Sequence, residues 1–436
     1  MKCGWLLRVV LVLSLAGARA SAQGVSPARQ AALSFMRGVN FSNYLEGPPG
    51  TWPNINYASL DFVLARAEGF DHVRLPVAWH LRAGAATNGY PIASGLFTQV
   101  DYMVNNALGH GLGLLLDWHS FDALSTNLTA NTNELFAVWA QVAAHYATAP
   151  PSVAFELLNE PHGQATTTAL NPIYAALIRQ IRLTNPTRTI FLQPGDFGGI
   201  AELANLQLPT TESNVIVAVH NYDPIYFALQ GATWAGPDYA TTNIVFPGPP
   251  STPLVAAAGV SSAVKTWISQ YNTFPAVINP SSAYAFTGAF HTAANWAAHN
   301  NRPVYVGEFG AIDLADPQSR VSYYTAKRQL LDTLGVGWAI WDWKSGFHYE
   351  TNGHPDPPGM HDALFPPLAL QTPAAGVITC TAAAGKTLVI QRALGGAAPV
   401  RWQSVATQTL ASPNLVFADP QTNALGNAFY RLLWQH

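Results

Sequence analysis

Eight short apolar runs alternate with stretches of helical period along the chain. They are "MRGVNF" (36–41), "HVRLPVAW" (72–79), "GLLLDWH" (113–119), "VAFELLNE" (153–160), "TIFLQPG" (189–195), "VIVAVHNY" (215–222), "PVYVGEFG" (303–310) and "GWAIWDW" (337–343). The intervening pattern predicts helices at 57–70, 98–111, 132–147, 171–186 and 319–335. In the last, Val321, Tyr324, Arg328 and Leu331 recur at three- and four-residue steps, as one helix face requires. Near-continuous apolar strands separated by helices imply a parallel sheet covered on both faces. Eight such units predict an α/β fold, a closed (β/α)₈ TIM barrel. The rival, an open doubly wound sheet, gathers its binding loops at one switch point. Polar residues instead end at least six of these runs, as a barrel rim demands.

Two segments depart from this rhythm. The connection from Pro224 to Asn301 is oversized and rich in Gly, Pro and aromatics, with helical sequence resuming near Val255. Long loops in compact domains are usually functional, so Trp234, Tyr226 and Tyr239 suggest a cleft wall; the alternative is an insertion packed on the barrel side. After "LFPPLALQTPAAG" (364–376), read as a Pro-rich linker, five short strand-like runs follow without a helix between them. This places the boundaries at 1–22 for a leader, 23–370 for the barrel and 371–436 for linker and small all-β module. The module could hold sugar through Trp402, Tyr430 or Trp434, or could be a structural appendage with those rings in its core.

The leader reading comes from the N-terminus. Lys2 and Arg8 accompany an apolar core from Val9 to Ala16, and "ASA" offers a secretory cleavage site after Ala22. That core is too short to cross a bilayer. Loss of Lys2, Arg8 and Arg19 leaves 18 basic against 24 acidic side chains, a formal charge of −6. This balance argues against nucleic acid and anionic membrane surfaces. Only 10% of residues are charged, while 13 Trp, 16 Tyr and 20 Phe favour an uncharged partner that stacks on rings. Cys380 alone remains after the leader is lost, so no intramolecular disulfide is expected. No zinc spacing, phosphate loop or calcium loop occurs, and no metal or cofactor is expected.

The chemistry lies where strands end. Residues on a strand alternate faces, so Ala154, Glu156, Leu158 and Glu160 are expected to share one side, as are Val304, Val306 and Glu308. Each run thereby delivers a glutamate to the C-terminal mouth of the barrel, where active sites lie. Two facing carboxylates suit glycosidic cleavage: one protonates the departing oxygen, the other stabilises or traps the sugar cation. Arg74, His119, Asn159, His220, Tyr222 and Trp341 end other runs or flank these. Asp117 and Asp342 read as structural hydrogen-bonding groups, Glu156 as a partner inside the barrel, and Glu46, Asp223 and Asp362 as candidate cleft-wall groups.

These motifs carry a resemblance. "FELLNEP" resembles the acid/base signature of glycoside hydrolase family 5, and "VYVGEFG" its nucleophile strand. "RGVNFSNYLEGP", "GFDHVRLPVAWH", "LLLDWHS", "VAVHNYDP" and "WAIWDWKSGF" are similar to its first, second, third, sixth and eighth strands. The likeness spans about residues 36 to 365; the long sixth connection and the β tail depart from it. It implies Glu308 as nucleophile, held by Arg74 and Tyr222, and Glu160 as acid/base, protonated because of the nearby negative nucleophile and partial burial. His220 would orient Glu160, Asn159 would contact the sugar 2-hydroxyl, His119 another hydroxyl, and Trp341 would offer a flat face. The expectation is a secreted, monomeric, metal-independent, retaining endo-β-1,4-glucanase acting on β-glucan polysaccharide or oligosaccharide. Mannan, xyloglucan and mixed-linkage glucan are alternative substrates, and a non-catalytic carbohydrate-binding protein is the reading from another class.

Overall fold

The structure, a computed structural model, describes residues 26–48, 55–366, 369–374, 377–381, 387–394, 403–410, 414–420 and 428–434. The leader, residues 1–22, lies outside the described residues. Eight parallel strands close in sequence order: β1 (Arg37–Asn40), β2 (His72–Val77), β3 (Gly113–Trp118), β4 (Val153–Glu156), β5 (Ile190–Leu192), β6 (Val215–His220), β7 (Val304–Glu308) and β8 (Gly337–Ile340), with β8 paired to β1. Every strand residue is buried, because helices cover the outside and side chains fill the inside. Each of the five expected helices overlaps an observed one, from Ser59–Glu68 to Pro317–Leu334. After β5 the covering element shrinks to the short turn Ile200–Asn205.

Alternation divides the core into two layers. Leu114, Leu116, Val73, Leu75, Val217 and Val219 face the helices. Leu115, Ala154, Phe191, Ile216, Ala218 and Tyr305 fill the barrel interior. Gly38 belongs to the inner face of β1; a Cβ there would lie 2.2 Å from the His72 imidazole, so only glycine lets the floor of the barrel close.

The oversized connection is ordered. Helices Ser262–Thr273 and Tyr284–His299 follow a stretch of short turns, and the first begins seven residues later than the sequence suggests. The helix Pro317–Leu334 buries Tyr324, Arg328 and Leu331 as expected, but its inner face also takes in Arg320, Tyr323, Lys327 and Asp332, while Val321 is only partly covered. A small hairpin, β9 (Glu350–Thr351) with β10 (His354–Pro355), follows β8.

The C-terminal part contains two three-stranded sheets. β11 (Ala369–Ala374), β12 (Val377–Thr381) and β15 (Asn414–Ala418) form one; β14 (Gln403–Thr409), β13 (Thr387–Leu394) and β16 (Ala428–Trp434) form the other. β11 occupies the stretch expected as linker, pairing antiparallel with β12. Tyr430 is partly covered against this module's core and donates to Asp419 at 2.9 Å. Trp402 and the side chain of Trp434 lie outside the described residues. Among the described residues no helix is long and apolar enough to cross a membrane.

Candidate active site

Both glutamates reach the barrel mouth, but not by unbroken alternation. Val304 and Val306 point outward into the helix layer, whereas Tyr305 points inward. The pairing of β6 with β7 then slips: Val219 faces Val306, yet His220 faces Glu308. One extra residue, Gly307, enters β7 there, the signature of a β-bulge, which re-aims the next side chain. A Cβ on Gly307 would sit 2.8 Å from His220 Nε2, so the bulge needs glycine.

β4 fails the alternation too. It ends at Glu156, and Leu158 packs in the outer layer. Two backbone bonds, Leu157 N–H to Phe191 O (3.0 Å) and Asn159 N–H to Trp118 O (2.9 Å), still tie the exit to the neighbouring strands. Glu160 then turns left-handed, φ +46°, a conformation costing a non-glycine residue about 1 kcal/mol or more. Its N–H is held by Gln193 Oε1 at 2.9 Å, and Pro161 offers no donor to continue the ladder.

Arg74 is the hub, with no solvent exposure. Its Nε and Nη2 bond Glu156 at 2.7 and 3.2 Å, Nη1 bonds Glu308 Oε1 at 2.8 Å and Asn40 at 2.9 Å, and Nη2 also bonds Asn159 at 2.8 Å. Asp117 Oδ2 stands 3.1 Å away. Burial alone would lower its pKa, but Asp117, Glu156 and Glu308 together outweigh that and keep the guanidinium charged. Glu308 receives a second bond from the Tyr222 hydroxyl, 2.9 Å to Oε2. Burial, followed by Glu308, raises the Tyr222 phenol well above its ordinary value, so it donates.

Glu160 is bound from one side, by His220 Nδ1 at 2.8 Å. The tautomer follows from the network. Gln193 spends its oxygen on the Glu160 N–H, so its amide nitrogen donates to Glu156 (2.6 Å) and to His220 Nε2 (2.9 Å). Nδ1 must then carry the proton it gives to Glu160. Burial also pushes the His220 pKa down to about 4, which leaves the ring neutral. Glu160's own pKa is raised by burial first; His119, Arg74 and His162 oppose it and Asp122 adds to it. The cause expected from sequence, a negative nucleophile, is not the leading one.

One carboxylate oxygen each of Glu160 and Glu308 and one nitrogen of His220 lie within 4.8 Å of one another. Such a trio could be a metal ligand set, but the imidazole nitrogen facing the carboxylates is a proton donor with no free lone pair. That proton goes to Glu160 at 2.8 Å, while Glu308 stands 3.6 Å from the same nitrogen.

The remaining expected residues fall around this pair. His119 Nδ1 bonds Asp117 at 2.6 Å and its ring stacks on Trp341 at 5.6 Å; burial takes its pKa down to about 4, so the ring is neutral. Burial lifts the Asp117 carboxyl to about 7 against the pull of Arg74. Asp342 bonds Ser42 and Ser345, a structural role. A cleft of about 780 Å³ is lined by Asn43, Glu46, His119, Trp234, Trp341 and Phe347. Trp234 is thus a wall, whereas Tyr226 packs on Tyr239 and Trp267. Glu46 is buried in the wall, and burial pushes its carboxyl well above the usual carboxylate range against the pull of the Asn43 N–H, which it takes on Oε1. Asp362 is not a wall: it rides on the helix Met360–Leu364, whose carbonyls bond Arg37 and Arg328. Asp223 is bound to Asn221. Asn40 and Gln193 were not assigned from sequence; their only signal is a polar residue at the end of an apolar run.

The sequence profile of Cellulase (glycosyl hydrolase family 5) matches residues 36–346. Endoglucanase 3 of Fibrobacter succinogenes is 30% identical over 352 residues, 75% of this chain and 52% of its own length. Endoglucanase H of Acetivibrio thermocellus is 26% identical, over 70% of this chain and 29% of its own. The chain therefore spans about half or less of these two relatives. Among solved structures, endoglucanase Cel5A of Thermotoga maritima superposes with a TM-score of 0.67 at 28% identity, covering 78% of this chain and all of that one. That protein has been solved in complex with cellobiose and with mannotriose.

Proposed function

Since the chain belongs to glycosyl hydrolase family 5, the cellulase family, we propose that it cleaves β-1,4-linked glucan with net retention, with Glu308 as nucleophile and Glu160 as acid/base. The observation that carries this reading is the approach of the two carboxylates to within 4.8 Å. Retaining glycosidases hold their carboxyl groups about 5–5.5 Å apart, whereas inverting ones leave roughly 6.5–9.5 Å for a water.

In the first step Glu308 Oε attacks the anomeric carbon while protonated Glu160 gives its proton to the departing glycosidic oxygen. A glycosyl ester on Glu308 results. Glu160, now a carboxylate, takes a proton from water as that water attacks the same carbon and Glu308 leaves. Arg74 and Tyr222 stabilise the Glu308 carboxylate before attack and after release. Neutral His220 donates to Glu160 without bringing a positive charge that would strip its proton. Asn159 would meet the 2-hydroxyl, His119 Nε2 would accept from another hydroxyl, and the Trp341 ring would carry the sugar's apolar face.

Sugar identity is set by the cleft walls rather than by the cutting residues. The complexes of the Thermotoga enzyme with both cellobiose and mannotriose favour mannan as the second substrate to test. Reducing-sugar release from purified glucan, mannan, xyloglucan and mixed-linkage glucan ranks them, and NMR of the first product reports the anomer. A β-anomer from glucan is expected. An α-anomer, or full activity in Glu308→Gln, would refute the mechanism. We also propose export with cleavage after Ala22; mature protein from the medium or periplasm should then begin at Gln23 by N-terminal sequencing.

A further inference from the structure

A buried lysine stands behind the site and is not used by the chemistry above. Lys327, in the middle of the helix Pro317–Leu334, has no solvent exposure. Its ammonium is surrounded by ring faces: Tyr323 at 4.8 Å, Phe286 at 5.1 Å, Phe309 at 5.6 Å and Phe290 at 5.7 Å to the ring centres. Such contacts attract a cation, but they do not replace water's hydrogen bonds, and burying a charge costs several kcal/mol. The donors go to one residue. Nζ bonds the Asn221 carbonyl at 2.5 Å and the Asn221 side-chain oxygen at 2.8 Å.

Asn221 has four polar groups, and each is engaged. Its carbonyl and Oδ1 accept from Lys327, its N–H donates to the Glu308 carbonyl at 3.1 Å, and its Nδ2 donates to Asp223 at 3.0 Å. In sequence it stands between His220, which holds Glu160, and Tyr222, which holds Glu308. It is therefore the one backbone unit between the two supports of the two carboxylates.

We propose that Lys327 is a positioning residue: by fixing Asn221 it sets His220 and Tyr222 together, and through them the relative placement of Glu160 and Glu308. The inference rests on the hydrolytic reading of that pair. Two acceptors need two N–H groups, which even an uncharged amine supplies, so the function does not depend on the charge. That matters because burial pushes the Lys327 pKa well below its ordinary value, against the pull of Asp223.

Lys327→Met keeps the stem among the rings and removes the donors. A displacement of about 1 Å at reacting groups can cost on the order of 100-fold, so kcat on an aryl β-cellobioside should fall about 10- to 100-fold with KM nearly unchanged. The alkaline limb of kcat should also move to lower pH, because a loosened Glu160 is better solvated. Lys327 acts through Asn221, and Asn221→Ala removes one of its two acceptors, so that variant should show a smaller loss and limb shift in the same direction, and the double variant should be no worse than Lys327→Met. If Lys327→Met does not fold, Asn221→Ala alone decides. Unchanged kcat and limb in the folded variants, or losses that multiply in the double variant, would overturn the proposal. Crystal structures of the parent and Lys327→Met, in which both bonds to Asn221 are lost, decide it independently of turnover: a Tyr222–Glu308 bond that stays at its parental length refutes it. A parent inactive on every glycan would instead count against the hydrolytic reading.

Discussion

Replacing Arg74 by Met should cost stability as well as activity, and the loss should depend on pH in a direction the site dictates. The guanidinium is fully buried and faces Asp117, Glu156 and Glu308, with Asn40 and Asn159 also accepting from it. Met fills much of the volume but leaves those acceptors facing one another. Breaking a buried ion pair by deleting one partner costs about 3–5 kcal/mol. Gln193 still bonds Glu156, and Tyr222 still bonds Glu308, so that range is the expectation for the cluster as a whole. With an unfolding entropy of about 2.1 cal/mol/K per residue and roughly 340 residues in the barrel, 3–5 kcal/mol is about 4–7 °C in midpoint. Arg74 holds the Asp117 carboxyl down to about 7 against burial; without it Asp117 keeps its proton to higher pH, so ionising it at pH 8 costs the variant more, whereas at pH 5 it is protonated in parent and variant alike. The difference in the barrel's melting midpoint between parent and variant, followed by circular dichroism, should therefore be larger at pH 8. An equal or smaller difference at pH 8 than at pH 5 would refute the view of Arg74 as the charge that balances this cluster.

Glu160→Ala should lower kcat on polysaccharide about 10²- to 10⁴-fold while sparing glycosylation by aryl glycosides with good leaving groups; azide should restore turnover by attacking the glycosyl-enzyme, and equal losses on both substrates would rule out the acid/base role. Burial holds the Glu160 proton above the ordinary carboxylate range, so kcat/KM should stay high at pH values where an exposed glutamate is ionised and fall as pH rises through the raised value. A limb at the ordinary glutamate pKa of about 4.3 would contradict this. Asp117, lifted to about 7 from its ordinary value of 3.8, binds a proton in the folded state that the unfolded chain releases. Its contribution to stability is therefore complete below about 4 and lost as pH rises to about 7, and urea unfolding of Asp117→Asn should lack that slope.

The barrel was legible because its strands are buried on both faces and so read as apolar runs, while helices between them keep a 3.6-residue period. What failed was parity. Counting alternate residues through "VYVGE" and "FELLNE" brought both glutamates inward, yet the structure does this with a bulge at Gly307 and a left-handed turn at Glu160. Neither device changes hydrophobicity, so neither marks a pattern. Arg320, Lys327 and Asp332 were hidden for the opposite reason: charged residues do not mark a buried helix face, and only tertiary partners show that they are enclosed. Asn40 and Gln193 carry no pattern of their own, and their purpose exists only in what they bond. In the tail, the five expected strand runs all contain strands, and β11 appears where proline content suggested none.

The two acids are restrained unequally. Glu308 is gripped from both sides by Arg74 and Tyr222, and its side chain is 6% exposed; Glu160 sits on a bend, its carboxyl hydrogen-bonded among the described residues by His220 alone, with 32% exposed. Covalent attack asks for an immobile jaw, since the same oxygen must form and release one bond along one line. A proton carrier must instead swing between the outgoing sugar oxygen and the incoming water, which occupy slightly different places. The single bond on the Glu160 carboxyl is thus the slack that lets one group serve both halves of the cycle.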